Sequence, residues 1–243
     1  MKVTAIIQAR LGSSRLPGKV LKSIAGEPML GRVVQRASAA TCIDEIIVAT
    51  TLSNTDDPIE QLCRKRGWLS FRGNEKDVLD RYFQTAKNYS SKVIVRITSD
   101  CPLLDPGIVD MVVTRFLDLY PDVDYVSNTY PKYTFPRGLD VEIMSKEALV
   151  RAWEDDIDPR TREHVTPYIY QNPEFFRVNG IQNPRDYSWL RLTVDTLEDL
   201  TFVRKIFEEL PKNHFSWTDV LELLKANPEW LDINRNTQQK KIQ

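Results

Sequence analysis

Histidine and cysteine are scarce in this chain: two of the first, His164 and His214, and three of the second, Cys42, Cys63 and Cys101. No Cys-x-x-Cys pair occurs, and an odd, scattered set argues against a disulfide framework or a zinc site. Two histidines exclude a His-rich metal centre. No apolar stretch approaches membrane-spanning length, and the N-terminus enters a strand pattern without the charged-then-apolar opening of a signal region. Net charge is −1, so no global basic field draws the chain to nucleic acid or to a membrane. A reducing cytoplasm is the expected setting. Whatever positive charge matters must be local.

One run supplies it. Ala9-Arg10-Leu11-Gly12-Ser13-Ser14-Arg15-Leu16-Pro17-Gly18-Lys19 follows the apolar segment Val3-Thr4-Ala5-Ile6-Ile7, which reads as a buried first strand. Three cations and two glycines fall within ten residues, with no acid among them. A loop of this kind at a strand's carboxyl end suits a polyphosphate: glycines let the backbone approach the anion, amides and hydroxyls donate, and Arg and Lys supply counter-charge. It is not a P-loop. That motif places four residues between its glycines and a metal-binding hydroxyl after its lysine, whereas five separate Gly12 from Gly18 and Val20 follows Lys19. A merely solvated basic turn would scatter its charges rather than set them in this order.

Short β-branched runs alternate with amphipathic helical patterns along the 243 residues, the signature of βαβ units and a mainly parallel sheet. Strands are predicted at 3–8, 45–50, 93–97, 125–127, 139–143, 176–180 and 190–194, and helices at 29–40, 58–66, 76–88 and 106–119. Asp105-Pro106 reads as a helix N-cap followed by proline at the first helical position. Ser216-x-x-Asp219 reads as a capping box that opens a late helix. The pattern predicts one domain over residues 1–233, with an insertion at about 128–172 for substrate or dimer contacts. Residues 234–243 read as a polar, frayed tail.

Ligands of open parallel sheets bind beyond the carboxyl ends of the strands. Three polar clusters fall there: the first loop, Thr50-Thr51-x-Ser53-Asn54, and Thr98-Ser99-Asp100-Cys101-Pro102. Asp100 follows the buried pattern Val93-Ile94-Val95-Arg96-Ile97, and two readings of it stay open. It ligates a magnesium ion facing the loop-bound phosphates, or it caps the turn before Pro102. Asp195 ends the run Trp189-Leu190-Arg191-Leu192-Thr193-Val194. The following Thr196-x-x-Asp199 is a capping box that needs no metal, yet a capping box does not require Asp195 itself. Two strand-end aspartates beside a phosphate loop suit one Mg²⁺ site.

Taken together, Ala9-Arg10-x-Gly12-Ser13-x-Arg15-Leu16-Pro17-Gly18-Lys19, Asp100-Cys101-Pro102-Leu103 and Asp195-Thr196-x-Glu198-Asp199 resemble, in order and spacing, the cytidylyltransferases that activate acidic sugars. These include the CMP-KDO and CMP-sialic acid synthetases and their relatives in spore-coat polysaccharide synthesis. Pro136-Arg137-Gly138-Leu139-Asp140-Val141-Glu142 and Arg162-Glu163-His164-Val165-Thr166-Pro167 look most like the spore-coat branch. The sialic acid enzymes lack the Arg-Leu-Pro-Gly order in their first loop, which argues against a sialic acid acceptor.

The resemblance implies an α/β fold of the Rossmann-like nucleotidyltransferase (GT-A-like) kind: a three-layer α/β/α arrangement with a mainly parallel mixed sheet, often as a homodimer. It implies CTP and Mg²⁺, transfer of CMP to an acidic sugar or sugar derivative with loss of pyrophosphate, and a place in surface polysaccharide or glycan synthesis. It further implies that Arg10, Arg15 and Lys19 bind the triphosphate and that Asp100 and Asp195 hold the metal. The expected nucleotide site comprises Ala9, Arg10, Gly12, Ser13, Arg15, Lys19, Asn74 and Asp100, although Asn74 also reads as a helix cap. The expected acceptor site comprises Arg137, Asp140, Glu142 and His164.

On that acceptor side, Asp140 and Glu142 stand two apart on a predicted strand, so both carboxylates face one way. They bind sugar hydroxyls in a pocket or form an ordinary polar face; Gly138 and the aromatics Tyr130, Tyr133 and Phe135 favour a pocket. His164 orients an acceptor, reaches across a dimer interface, or packs. Trp153, Trp217 and Trp230 read as packing residues. Two other functions fit the same fold class. One is a nucleotide-sugar-dependent glycosyltransferase using Asp122-x-Asp124 or Asp156-x-Asp158, which fall before a strand or in a loop. The other is a nucleotide-binding protein without turnover, which would have no need for both Asp100 and Asp195.

Overall fold

The β-branched runs of the first half become the parallel part of one sheet. The computed structural model describes residues 1–210 and 214–238. Its strands are β1 (Val3–Gln8), β2 (Ser23–Ile24), β3 (Glu27–Pro28), β4 (Glu45–Thr51), β5 (Leu69–Gly73), β6 (Val93–Thr98), β7 (Tyr125–Ser127), β8 (Glu142–Ser145) and β9 (Val178–Gly180). Its helices are α1 (Met29–Ser38), α2 (Asp57–Arg66), α3 (Val78–Asn88), α4 (Pro106–Leu119), α5 (Lys146–Asp155), α6 (Pro159–His164), α7 (Pro167–Gln171), α8 (Leu197–Glu209) and α9 (Trp217–Ala226). Seven strands form the main sheet in the order β5-β4-β1-β6-β8-β7-β9, and β2 and β3 form a separate hairpin. Only β8 runs antiparallel to its neighbours in the main sheet.

Alternation along β1 shows why three layers form. Ala5 and Ile7 point into one core with residues of α1, α4 and α8, while Ile6 points into a second core with residues of α3, α5 and α7. A strand apolar on both faces belongs in the middle of a parallel sheet covered by helices on both sides. Helix α1 carries two fully buried arginines. Arg36 donates to the main-chain oxygens of Leu104 and Phe215 and lies 4.3 Å from the Phe215 ring centre, tying α1 to the start of α9.

Several predicted elements change. Residues 190–194 do not join the sheet: they make one isolated bridge, Arg137 to Arg191. Their amides go instead to Arg137 O (from Leu192, 2.7 Å) and Asp100 O (from Val194, 2.8 Å), so the segment crosses the ends of other elements. The strand predicted at 139–143 starts only at Glu142, because the Asn128 side chain takes the Leu139 carbonyl and the Val141 amide. That predicted at 176–180 starts at Val178, since the Phe176 amide is turned to Asn172 O. Edge strand β5 went unread; Leu-Ser-Phe-Arg-Gly has no β-branched residue and no clean alternation. Residues 128–172 are not an appended lobe, for they contribute β8, which pairs with β6 and β7 inside the sheet. Helices α5 to α7 follow from it.

The capped starts hold. Asp105 accepts from the Ile108 amide, and both Thr196–Asp199 and Ser216–Asp219 close as reciprocal capping boxes. Of the tail, residues 234–238 are not frayed: Asn234 is buried and hydrogen-bonded. Residues 239–243 lie outside the described residues.

Gly138 tests the docking of 190–194. Its φ is +101°, and a Cβ there would sit 2.6 Å from Thr193 N and 2.8 Å from Leu192 C, both backbone. Gly138→Ala is expected to destabilise the protein by about 3 kcal/mol in urea denaturation, combining a disfavoured φ with a backbone clash. A loss below about 0.5 kcal/mol would show that the two segments separate freely.

Candidate active site

Strands β1 and β6 end side by side, Gln8 opposite Thr98, so their following loops share one edge. The loop after β1 is pinned at several points. Ala9 N donates to Ala49 O, Leu11 N to Asp56 Oδ1 at 2.7 Å, Gly18 N to Leu11 O, and Leu16 N to the Ser13 hydroxyl. Asp56 is itself held by the Thr51 hydroxyl at the end of β4. Gly18, at φ +67°, reverses the chain so that Lys19 turns inward.

Lys19 is 9% exposed. Its ammonium donates to Asp100 Oδ2 at 2.9 Å, Asp195 Oδ1 at 2.8 Å and Val194 O at 2.9 Å. The hydrogen bonds of Val194 N and the Thr193 hydroxyl to Asp100 O set the two acids side by side. The other Asp195 oxygen receives Arg15 Nη2 at 2.9 Å and Arg191 Nη2 at 2.7 Å. Thus the loop, Asp100 at the end of β6 and Asp195 after the crossing segment 190–194 meet at one point. Burial works against the Asp195 carboxylate, but Lys19, Arg191 and Arg15 outweigh it and hold its pKa at about 2. Burial likewise disfavours the Lys19 ammonium, and Asp100 and Asp195 more than reverse this, raising it. Arg10 points the other way, to Glu163 Oε1 on α6 at 3.2 Å.

A second polar compartment starts one register pair into the sheet. Arg96 of β6 stands opposite Glu142 of β8 and forms a buried ion pair with it. Glu142 also accepts the Tyr125 and Thr166 hydroxyls. Both its oxygens therefore have protein partners, which ties β8 to β6, β7 and the start of α7. Asp140 lies before the strand begins, which corrects the expectation that it shares a strand face with Glu142. Burial pushes the Asp140 pKa up to about 6 against the pull of Arg137 and Arg96, with Glu142 adding to the rise. The Arg137 guanidinium packs 3.3 Å from the Tyr133 ring centre. Cys101 lies within the fields of both Asp100 and Asp140, and burial first, then these acids, raise its thiol well above the ordinary range. It is a poor nucleophile. His164 ends α6, with its pKa lowered by burial and by Arg96; Val165 beside it has φ +72°.

Asn74 follows β5, and its side chain accepts the Lys76 and Asp77 amides, so it shapes the entry to α3. The tryptophans pack: Trp153 stacks on Phe83 with ring centres 4.0 Å apart, Trp217 meets Phe135 and Tyr187 edge-on, and Trp230 is buried. Neither Asp-x-Asp copy contributes to this cluster. Asp122 and Asp124 pair with Arg177, while Asp156 and Asp158 organise the start of α6.

Three polar residues of the site were not read from the sequence. Asp199, fully buried, accepts Arg191 Nε and Nη2, the amides of Asp195 and Thr196, and Asn234 Nδ2. The available signal was the spacing Arg191-x-x-x-Asp195-x-x-x-Asp199, an arginine in an apolar run that needs acidic partners. Arg96, inside a buried strand, carried the same signal. Among the described residues no group of three or more His, Cys, Asp or Glu could cage a metal. Asp100 and Asp195 both accept from the Lys19 ammonium.

A family model described as cytidylyltransferase matches residues 4–229 of the chain. A cytidylyltransferase structure from Leptospira borgpetersenii is 36% identical, covers 99% of this chain and all of its own, and superposes with a TM-score of 0.91. The spore coat polysaccharide biosynthesis protein SpsF of Bacillus subtilis is 33% identical over 92% of this chain and 94% of its own length. At the level of fold, a CMP:2-keto-3-deoxy-manno-octonic acid synthetase solved with CTP gives a TM-score of 0.67 at 21% identity, covering 86% of this chain and all of its own.

Asp140 supplies a pH test. In the window from about 4 to 6 the folded protein keeps the Asp140 proton while the unfolded chain has lost it. Stability therefore falls as pH rises through that window, and the penalty persists above it. Asp140→Asn is expected to raise Tm relative to wild type at pH 8 and to leave it unchanged near pH 4. An equal difference at both pH values would remove the buried carboxylate as its cause.

Proposed function

The chain belongs to the cytidylyltransferase family, and on that premise we propose that it transfers CMP from CTP to a sugar acceptor, releasing pyrophosphate. The observation that carries the reading is the Lys19 ammonium held between Asp100 and Asp195, with Arg15 on the same carboxylate. A triphosphate entering this edge meets the loop cations Lys19 and Arg15 already paired with Asp100 and Asp195, so cations and carboxylates are presented together. That arrangement suits an anion that brings its own divalent cation.

The acceptor oxygen attacks the α-phosphorus in line; its bond to phosphorus forms as the bond to the pyrophosphate oxygen breaks. Such transfers ask the protein mainly for positioning and charge stabilisation. Arg15 and Lys19 neutralise charge building on the departing pyrophosphate, and Arg10, exposed and lightly held by Glu163, is free to swing to it. Gly12, Ser13 and the Ala9 backbone shape the cradle, and Asn74 borders the base side. Magnesium would be held by Asp100 and Asp195 together with phosphate oxygens, its usual ligands in phosphate chemistry, once the Lys19 ammonium that joins the two acids has turned to the phosphates. Bound there by Asp100 and Asp195, it would supply charge neutralisation and orientation at the reacting phosphate. Arg137, Asp140 and His164 face the acceptor, with Glu142 and Arg96 behind them. Resemblance to the spore-coat and octulosonate proteins supports an acidic sugar or derivative and surface polysaccharide synthesis; a homodimer and a cytoplasmic site of action are proposed with it.

Asp100→Asn is expected to lower CTP-dependent pyrophosphate release by 10²-fold or more with the thermal transition retained. In a thermal-shift panel of CTP, UTP, ATP and GTP with Mg²⁺, CTP at 100 times its Kd should stabilise wild type by about 2.7 kcal/mol. Wild-type turnover by Asp100→Asn, or preference for another nucleotide, would falsify the assignment.

A further inference from the structure

Residues 234–238 return from the end of the chain to the cation cluster. Asn234 is 7% exposed and uses its side-chain amide on two partners, Arg191 O at 3.2 Å and Asp199 Oδ1 at 3.0 Å. Asp199 grips the Arg191 guanidinium through Nε at 2.9 Å and Nη2 at 3.0 Å, and Arg191 Nη2 continues to Asp195 Oδ2 at 2.7 Å. Three residues on, the Thr237 hydroxyl meets that of Thr196 at 3.4 Å, and the Gln238 carbonyl accepts Arg15 Nη1 at 3.2 Å. The other Arg15 terminal nitrogen is on Asp195. Both phosphate-side groups, an acid and a cation, are therefore braced from behind by one short segment.

We propose that residues 234–238 are a positioning strap of the nucleotide site: Asn234 orients Asp195 through Asp199 and Arg191, and the Gln238 carbonyl orients Arg15. The inference rests on the triphosphate reading of this site and assigns the strap no contact with substrate. The physics is pre-organisation. A buried carboxylate that loses one donor relaxes towards others, so removing Asn234 lets Asp199 and Arg191 shift and turns Asp195 with them. A long arginine ordered before the ligand arrives spares the ordering cost on binding.

Two full-length variants test this. Asn234→Ala removes both donors, and Thr237→Pro removes the hydroxyl contact and the amide bond to Asn234 O (3.0 Å). Calorimetric titration with Mg-CTP and with inorganic tripolyphosphate should show affinity for both probes falling about tenfold in each variant, the scale seen for outer-shell partners. KM for CTP should rise in parallel while KM for the acceptor stays put. Unchanged affinity for both probes, or a lower Tm with intact affinity, overturns the strap and makes the segment merely structural. Wild type that binds tripolyphosphate but not CTP overturns the nucleotide assignment instead, and the strap then stands or falls on tripolyphosphate affinity in the variants.

Discussion

An ammonium between two carboxylates governs this architecture. Asp195 is nearly buried, and an unpaired acid there would be strongly destabilising; Lys19, Arg15 and Arg191 together hold it ionised. Each of those cations comes from a different constraint. Lys19 is aimed by the Gly18 turn, Arg15 by the pinned loop, and Arg191 by the buried Asp199. The site is thus electrostatically balanced before any ligand is present, with donors and acceptors already directed to one point.

The sheet makes that balance geometrically available. Parallel pairing of β1 with β4 and β6 brings three loops to one edge. The antiparallel β8 then inserts Glu142 beside Arg96, a second polar cluster next to that of Lys19. The Cys101 thiol lies within the fields of both Asp100 and Asp140. Two acids shift in opposite directions, Asp195, despite burial, down to about 2 under its three cations and Asp140 up to about 6 through burial.

Features that are local along the chain were legible in the sequence. The first loop, the strand-end position of Asp100, the caps at Asp105, Thr196 and Ser216, and strands β1, β6 and β7 all follow from patterns a few residues long. What was misread depends on distant partners. Residues 190–194 alternate like a strand but find the Asp100 and Arg137 main chains instead of a neighbour to pair with. Residues 139–141 look extended but are captured by the Asn128 side chain. The partners of Glu142, Arg96, Tyr125 and Thr166, are scattered through the sequence, so the network that holds it was not legible there. Asn234 was taken for tail because nothing nearby signals that Arg191 and Asp199 await it.

The contact of Arg15 with Gln238 spans 223 positions of sequence, and it bears on synthesis. A chain growing from its N-terminus completes the anion-binding loop first and its far support last. Domains of this size gather such long-range closures late in folding. The partner of Arg15 is thus made 223 positions after it, and a loop whose far contact lies so distant along the chain gains that contact late in folding.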